Sequence, residues 1–237
     1  MKRRLIALIV VSASVCCFAS TREDAIDRMQ KAGDVLTQVM NAPDKGIPEE
    51  AMEGAKCVVV VPHLVKGGFV FGGKYGRGVA TCRTAKGWSA PAFVLVGGGT
   101  WGLQIGVEGI DLVMLIMNDE GLQHLLSSKF EISGEGSAAA GPVGRHASAG
   151  TDWKLNTEML TYSRSKGAFA GLTLDGAVIK QDDDATEAVY GKEVGFKSLL
   201  SGRVPPPSSS ESFLHAVRVA EHKSNDKEAH EKDSGTR

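Results

Sequence analysis

The chain has 237 residues, of which 42% are hydrophobic and 23% are charged, a composition typical of a globular protein with one domain or two small ones. Its 27 basic and 28 acidic side chains nearly cancel, so the total charge gives no indication of a nucleic-acid partner. A chain of this length buries enough surface to fold without an obligatory disulfide or metal.

The N-terminus has the pattern of a secretory signal peptide. Basic residues 2–4 precede an apolar run over residues 5–15, and Cys17 and Ala19 stand where a signal peptidase reads small side chains. We therefore expect residues 1–19 to be a signal peptide cleaved after Ala19, and the mature protein to be exported to the periplasm or cell envelope. A membrane anchor is the alternative, but the apolar run is shorter than the roughly 20 residues that span a bilayer. Lipidation at Cys16 or Cys17 also stays open, although neither follows the small residue that a lipobox requires.

Cys57 and Cys82 remain in the mature chain, and each lies in a predicted strand. In an oxidising compartment they are expected to form an intramolecular disulfide. Closing a loop of about 25 residues in this way would contribute roughly 3 kcal/mol to stability in the chain-entropy model. Two buried free thiols are the alternative.

An amphipathic helix is predicted over residues 21–42. Ser20 and Thr21 are each followed three residues later by an acid, which is the start of a capping box. Apolar side chains recur at helical spacing, at Ala25, Ile26, Met29, Ala32, Val35, Leu36, Val39 and Met40. The polar face is not basic, so we expect the apolar stripe to face a protein core rather than a membrane. A second short helix is predicted over residues 48–54.

Residues 55–118 predict a glycine-rich β-sheet. Their apolar runs are short, rich in β-branched and aromatic residues, and separated by glycine. In residues 69–83 bulky side chains alternate with small or polar ones, which gives one face rich in side chains and one nearly bare face. A helix, a strand or a ligand can pack directly on such a bare face.

The second half of the chain continues the mixed pattern. Helices are predicted near residues 119–129 and 182–191, and strands near residues 130–132 and 162–179. The fold class is therefore α+β, with a largely antiparallel sheet core, an N-terminal amphipathic helix and flanking helices. Residues 20–202 form the expected domain. Residues 203–237 are expected to be a Pro/Ser linker and a charged, largely disordered tail containing a short helix.

No catalytic or metal site is expected. Gly97, Gly99 and Gly102 match a dinucleotide-binding spacing, but the residues that follow predict a strand instead of the required helix, so no cofactor is expected. The histidines lack the spacing of metal ligands. A serine hydrolase built on Ser148 is the weakest alternative, since His146 stands where the nucleophile elbow needs a glycine.

The remaining chemical signal is a set of basic residues placed among glycines and aromatic residues. Exposed glycine amides and guanidinium groups suit phosphate oxygens, including those of lipid headgroups. Scattered surface charges are the alternative. The candidate lipid contacts are Lys74, Arg77, Arg164 and Lys166, with the aromatic residues Tyr75, Trp88 and Phe169.

Five segments resemble, in order and spacing, the SYLF family of lipid-binding domains: KYGRGV at 74–79, WSAPAF at 88–93, GLQIG at 102–106, LVMLIMN at 112–118 and YSRSKGAFAGLTLDGAVI at 162–179. The resemblance covers about residues 25–204. It implies an α+β domain, in part like the BON fold, that binds phosphoinositides or other anionic membranes without catalysis. The family includes bacterial envelope proteins and eukaryotic endocytic proteins, among them a yeast actin-binding one. Because the protein is expected to be exported, actin is not its expected partner. The expected partner is an anionic lipid or membrane surface. The alternative is that the protein is a glycine-rich scaffold that binds another protein.

Overall fold

The computed structural model describes residues 2–42, 46–68, 71–101, 106–127, 129–132, 138–141, 157–165, 168–170, 174 and 176–234. Within these residues, ten strands form one sheet in the order β6-β10-β4-β2-β1-β5-β8-β7, with β3 paired to β2 and β9 paired to β8. All described pairings are antiparallel except that of β7 with β8. The strands are β1 Cys57–Gly68, β2 Phe71–Thr84, β3 Gly87–Trp88, β4 Ala92–Trp101, β5 Gly106–Ile116, β6 Lys129–Glu131, β7 Ala138–Ala140, β8 Met159–Ser165, β9 Ala168–Ala170 and β10 Ala177–Gln181.

Six described α-helices accompany the sheet, so the predicted α+β class with a largely antiparallel sheet is confirmed. They are α1 Lys2–Met40, α2 Glu49–Gly54, α3 Asp119–Leu125, α4 Asp183–Tyr190, α5 Phe196–Leu200 and α6 Glu211–Ser234. Within the described part of the chain, no helix is both long and apolar enough to cross a membrane.

The start of α1 differs from the prediction. The helix begins at Lys2 and is continuous to Met40, so Ser20 and Thr21 lie inside it instead of at its N-terminus. A capping side chain is needed only where backbone N–H groups lack a carbonyl four residues earlier, and a continuous helix supplies those carbonyls. The capping-box interpretation was therefore wrong.

The sheet has two covered faces, because side chains alternate along each strand. We call the face that carries α1, α4 and α6 the helix face. It buries Val58, Val60, Val79, Phe93 and Val113 with the apolar stripe of α1, whose members Ala25, Met29, Ala32, Val35, Leu36 and Val39 are all buried. The prediction that this stripe faces a protein core is confirmed. The opposite face packs on α3 and α5 and buries Val59, Val61, Val94, Leu112 and Met114 among others.

The nearly bare face of β2 is covered by the neighbouring strand. A Cβ atom on Gly76 would lie 2.6 Å from Cγ1 of Val61, and one on Gly78 would lie 2.5 Å from the carbonyl oxygen of Val60. Residues of β1 thus lean over the places where β2 has no side chains. The expectation that something packs directly on these glycines is confirmed, and its occupant is the same sheet.

The predicted disulfide between Cys57 and Cys82 is present, and both residues are buried. The two cysteines are direct partners on β1 and β2. Since the N–H group of Arg83 donates to the carbonyl of Lys56, they form a pair without mutual backbone hydrogen bonds, in which side chains approach closely. The bond therefore fixes the register of the two central strands.

The segment after Gly202 differs from the expected tail. In α6, Phe213, Val217 and Ala220 are buried against α1 and the helix face, at the spacing of one helical stripe. Contact between the helices is close, because a Cβ atom on Gly33 would lie 3.2 Å from the carbonyl oxygen of Ser212. The described residues up to Ala220 thus pack with the domain. The end of the signal peptide at residue 19 and the domain boundary at residue 202 stay predictions.

Candidate functional site

A charged cluster lies where α1 crosses the helix face. Asp182 precedes α4 and accepts hydrogen bonds from two arginines: Nη1 of Arg28 at 2.9 Å, and Nε and Nη2 of Arg77 at 3.1 and 3.4 Å. Its side chain is 2% exposed. Arg28 comes from α1 and Arg77 from β2, so the cluster joins three elements that are distant in the sequence.

Asp182 and Arg28 are each held by a further contact. Asp182 is the N-cap of α4, and its Oδ1 also accepts the N–H group of Ala185 at 3.3 Å. The Arg28 guanidinium lies 5.6 Å from the ring centre of Phe93, which is buried on the helix face. Burial lowers the pKa of Arg28, and the hydrogen bond to Asp182 partly offsets that shift. The arginine stays charged, because the ordinary pKa of a guanidinium group is far above neutrality.

The cluster carries an excess positive charge. Two guanidinium groups share one carboxylate, and the exposed member is Arg77, whose side chain is 38% exposed. Tyr75 lies two residues earlier on the same strand and the same face, and it is 56% exposed. Lys180 of β10 is exposed, and both it and Arg77 are register partners of Leu95, one from each side of β4. The backbones of Arg77 and Lys180 are therefore two strand spacings, or about 10 Å, apart, and both side chains lie on the same face.

Arg164 is on the same face but forms a different cluster. Its Nη2 donates to Asp111 at 2.9 Å, and its Nη1 donates to Gln38 of α1. Asp111 also accepts the N–H group of His63 at 3.1 Å, and His63 has a positive φ of 56° at an irregularity of β1. Three strand spacings separate β2 from β8, so the backbones of Arg77 and Arg164 lie roughly 14 Å apart. The two predicted cationic segments thus share a face without forming one anion site.

The other predicted basic residues are not brought together with Arg77. Lys74 is 6% exposed and lies on the opposite face, because it is an odd number of residues from Arg77 along β2. Lys166 lies outside the described residues. Phe169 is the register partner of Arg164 on β9.

Trp88, a predicted lipid contact, instead holds α6 in place. Its indole N–H donates to Oε2 of Glu221 at 2.9 Å, and the Arg83 guanidinium stacks on its ring at 4.7 Å. Arg83 also forms an ion pair with Glu221 and donates to the carbonyl of Ala55 at 2.8 Å, just after α2. Burial by itself would raise the pKa of Glu221, but the hydrogen bonds from Trp88 and Arg83 and the Arg83 charge hold it below its usual value. We call Arg83, Trp88 and Glu221 the α6 clamp.

Sequence reasoning missed Arg28, Asp182 and Lys180. Arg28 has a usable signal, since it is a charged residue inside the apolar stripe of α1, where burial demands a partner. Asp182 begins the run Asp182–Asp184 at the start of a predicted helix, a position where an aspartate matches an N-cap. Nothing local shows that these two residues, 154 positions apart, meet.

The described structure offers little for catalysis. Ser148 and His146 lie outside the described residues. Where side chains are described, no group of three or more His, Cys, Asp or Glu residues could hold a metal ion. A cleft of about 440 Å³ beside α4 is lined by Asp183, Glu193 and neutral residues, a set that would repel an anion.

Comparison with known proteins gives consistent matches. Residues 97–220 match the family model Ysc84, described as "Las17-binding protein actin regulator". The chain is 35% identical over 197 residues to an SH3 domain-containing protein of Schizosaccharomyces pombe and 33% identical over 198 residues to Protein YSC84 of Saccharomyces cerevisiae, which is 79% of this chain in each case. It is 30% identical over 179 residues, 75% of the chain, to SH3 domain-containing YSC84-like protein 1 of Rattus norvegicus. These matches cover 46%, 42% and 52% of the relatives, so the chain spans about half the length of the curated relatives it matches.

Proposed function

Because the chain belongs to the Ysc84 family, also called the SYLF family, we propose that it is a non-catalytic lipid-binding protein that recognises anionic, phosphoinositide-like headgroups. The observation that carries the proposal is the excess positive charge of the Arg28–Asp182–Arg77 cluster, which reaches solvent at Arg77.

Arg77 is suited to bind a phosphate. A guanidinium group presents several N–H donors in one plane and pairs with phosphate oxygens in two-point geometry. The described hydrogen bonds to Asp182 use Nε and Nη2, and Nη1 takes no part in them. Since Asp182 already holds the side chain, binding a headgroup costs little additional side-chain entropy. Lys180 on the same row adds a second positive charge.

Sedimentation with vesicles tests this function. We expect the protein to pellet with phosphatidylcholine vesicles that contain phosphatidylinositol phosphate or phosphatidylglycerol, more at low salt than at high salt, and not with phosphatidylcholine alone. Equal, negligible pelleting in every condition would overturn the proposal.

A matched pair of arginine variants locates the contact. Arg77→Gln is expected to weaken binding about tenfold or more, since a hydrogen bond to a charged group contributes about 1.5–3 kcal/mol. The control is Arg218→Gln in α6, because Arg218 is 41% exposed and ion-paired with Glu211, much as Arg77 is paired with Asp182. Equal losses in both variants would assign the effect to total charge instead of to this site.

We also propose that the protein acts in the cell envelope after export. The basic residues 2–4 and the apolar run that follows support a signal peptide that ends at Ala19. The mass of the protein purified from a periplasmic fraction would test this. A chain that keeps residues 1–19 and remains in the cytoplasm would contradict it.

A protein partner is the second candidate, because relatives carry the name LAS seventeen-binding protein 3. For this chain it predicts binding to a protein ligand with no dependence on vesicles. The same sedimentation experiment separates the two candidates, since only the lipid hypothesis requires pelleting in the absence of other proteins.

A further inference from the structure

Two exposed apolar side chains are direct neighbours on the helix face. Where the structure describes side chains, three large apolar residues are exposed: Tyr75 at 56%, Val65 at 37% and Val219 at 38%. Tyr75 and Val65 are cross-strand partners on β2 and β1, so they form one patch, whereas Val219 lies alone on α6. Isolated exposed apolar residues are common, but a tyrosine and a valine paired across two strands form a candidate contact surface.

The patch lies beyond the region that the helices cover. Closer to the disulfide, the equivalent cross-strand pair Val60 and Val79 is fully buried under the helices. Tyr75 pairs on its other side with Gly97, and one step further out Gly73 pairs with Gly99. A Cβ atom on Gly99 would meet no atom within 4 Å. The Tyr75 and Val65 side chains therefore stand on an open part of the sheet.

Positive charges border the patch. Arg77 follows Tyr75 on the same face, and Lys180 lies on the same row as Arg77. On this face, Asp182 and Asp111 are each engaged by arginine. Exposed Glu131 of β6 lies three strands from Tyr75, and exposed Asp183 lies at the start of α4. An apolar centre with a cationic border matches the interfacial layer of an anionic bilayer, where tyrosine is enriched and basic groups contact phosphates.

We propose that Tyr75 and Val65 form the apolar centre of a membrane-contact surface, with Arg77 and Lys180 as its headgroup contacts. This inference rests on the proposed lipid-binding function and adds an orientation to it. The end of the sheet where β2 begins faces the bilayer. The Cys57–Cys82 end lies roughly 27 Å away along β1, the length of eight residues, and faces the solution.

Paired substitutions test the apolar centre. The double variant Val65→Ser and Tyr75→Ser is expected to lose about tenfold or more in affinity for anionic vesicles, and the loss should persist at high salt because it removes apolar contact. Val219→Ser is the control, since Val219 is equally exposed and lies outside the patch. Its affinity should equal that of the unmodified protein. Thermal unfolding of all three proteins shows whether they are equally folded.

A fluorescent probe tests the orientation. In a full chain with Cys16→Ser and Cys17→Ser, a cysteine placed by Gly99→Cys is the accessible thiol for an environment-sensitive dye, because Cys57 and Cys82 are joined. The site accepts a side chain without a clash. Ala85→Cys is the control, at an exposed position just beyond the opposite end of β2. On binding anionic vesicles, the probe at residue 99 should shift to the blue and be quenched by lipid-borne quenchers, and the probe at residue 85 should not.

The outcomes distinguish the two proposals. If the unmodified protein binds no vesicles, the lipid-binding function and the surface both fail. If it binds but the Val65 and Tyr75 double variant binds equally well, or the probe at residue 85 responds instead of the probe at 99, the function stands and this surface is wrong. A selective loss in the double variant with a selective response at residue 99 supports the surface.

Discussion

Replacement of Asp182 by alanine is expected to be among the most destabilising single substitutions in the described part of the chain. It leaves the buried Arg28 guanidinium without its carboxylate, and removing one partner of a buried ion pair costs about 3–5 kcal/mol. It also removes the N-cap of α4, which is worth about 1 kcal/mol. Arg77 adds little, because its side chain is more than one-third exposed and its ion pair is screened by solvent. The expected loss is about 4 kcal/mol or more.

Urea and thermal unfolding, followed by circular dichroism, measure this loss. For a domain of this size, a change of 4 kcal/mol corresponds to a drop in melting temperature of about 8–16 °C. Asp183→Ala is the matched control, because Asp183 is the next residue, is exposed and lies in the first turn of α4. It should change stability by about 0.5 kcal/mol or less.

A double variant separates the lost charge pair from the lost cap. Arg28→Met in the Asp182→Asn background removes both charges while asparagine keeps the capping oxygen, so it should recover much of the stability that Asp182→Asn alone loses. If Asp182→Ala and Asp183→Ala unfold at the same urea concentration, the cluster does not stabilise the fold and the reasoning from buried charge is wrong.

Further variants probe packing and pH. Gly76→Ala should destabilise the protein by about 1–3 kcal/mol, because the added methyl group would overlap side chains of β1. Gly99→Ala should be neutral in the same unfolding assay, and equal effects of the two variants would contradict the assigned faces. The pKa of Glu221 is lowered in the folded protein, so its stabilising effect should be complete above its ordinary pKa of 4.5 and should fall as the pH drops through the folded value. The stability difference between the unmodified protein and Glu221→Gln should therefore shrink in acid. A difference that stays constant with pH would refute this. Without prior reduction Cys57 and Cys82 should resist alkylation, and reduction should cost roughly 3 kcal/mol; labelling of both in unreduced protein would exclude the bond in solution.

Local patterns in the sequence predicted much of the fold, because they depend on neighbours only a few residues apart. The apolar stripe of α1, the helix near residues 182–191 and the strand character of β1, β2, β4 and β5 all follow from periodicity and residue type. The same alternation places Lys74 and Arg77 on opposite faces of β2, so the sequence already contained the reason to separate these two candidate contacts. The disulfide also follows from composition, since Cys57 and Cys82 lie in two strands close in the chain.

Other features depended on contacts between distant segments. The α6 segment looks like a solvated tail by composition, and only its packing on Gly33 and the helix face makes Phe213 a core residue. The α6 clamp joins residues more than 130 positions apart, so Trp88 has a structural role that no local pattern shows. Free energy gained by burying a helix against a distant sheet is not encoded in local propensity.

The sequence by itself determined the fold class, the family and the chemical character of the candidate contacts: a glycine-rich antiparallel sheet with basic and aromatic residues. Tertiary structure decided which of these residues share a surface. The order of strands β10, β4 and β2 places Lys180 beside Arg77, and the crossing of α1 brings Arg28 to Asp182. The helices cover Val79 but not Tyr75, so the Val60–Val79 pair is buried and the Val65–Tyr75 pair is exposed. Strand order and helix coverage minimise the free energy of the whole chain, and for that reason they could not be read from any one segment.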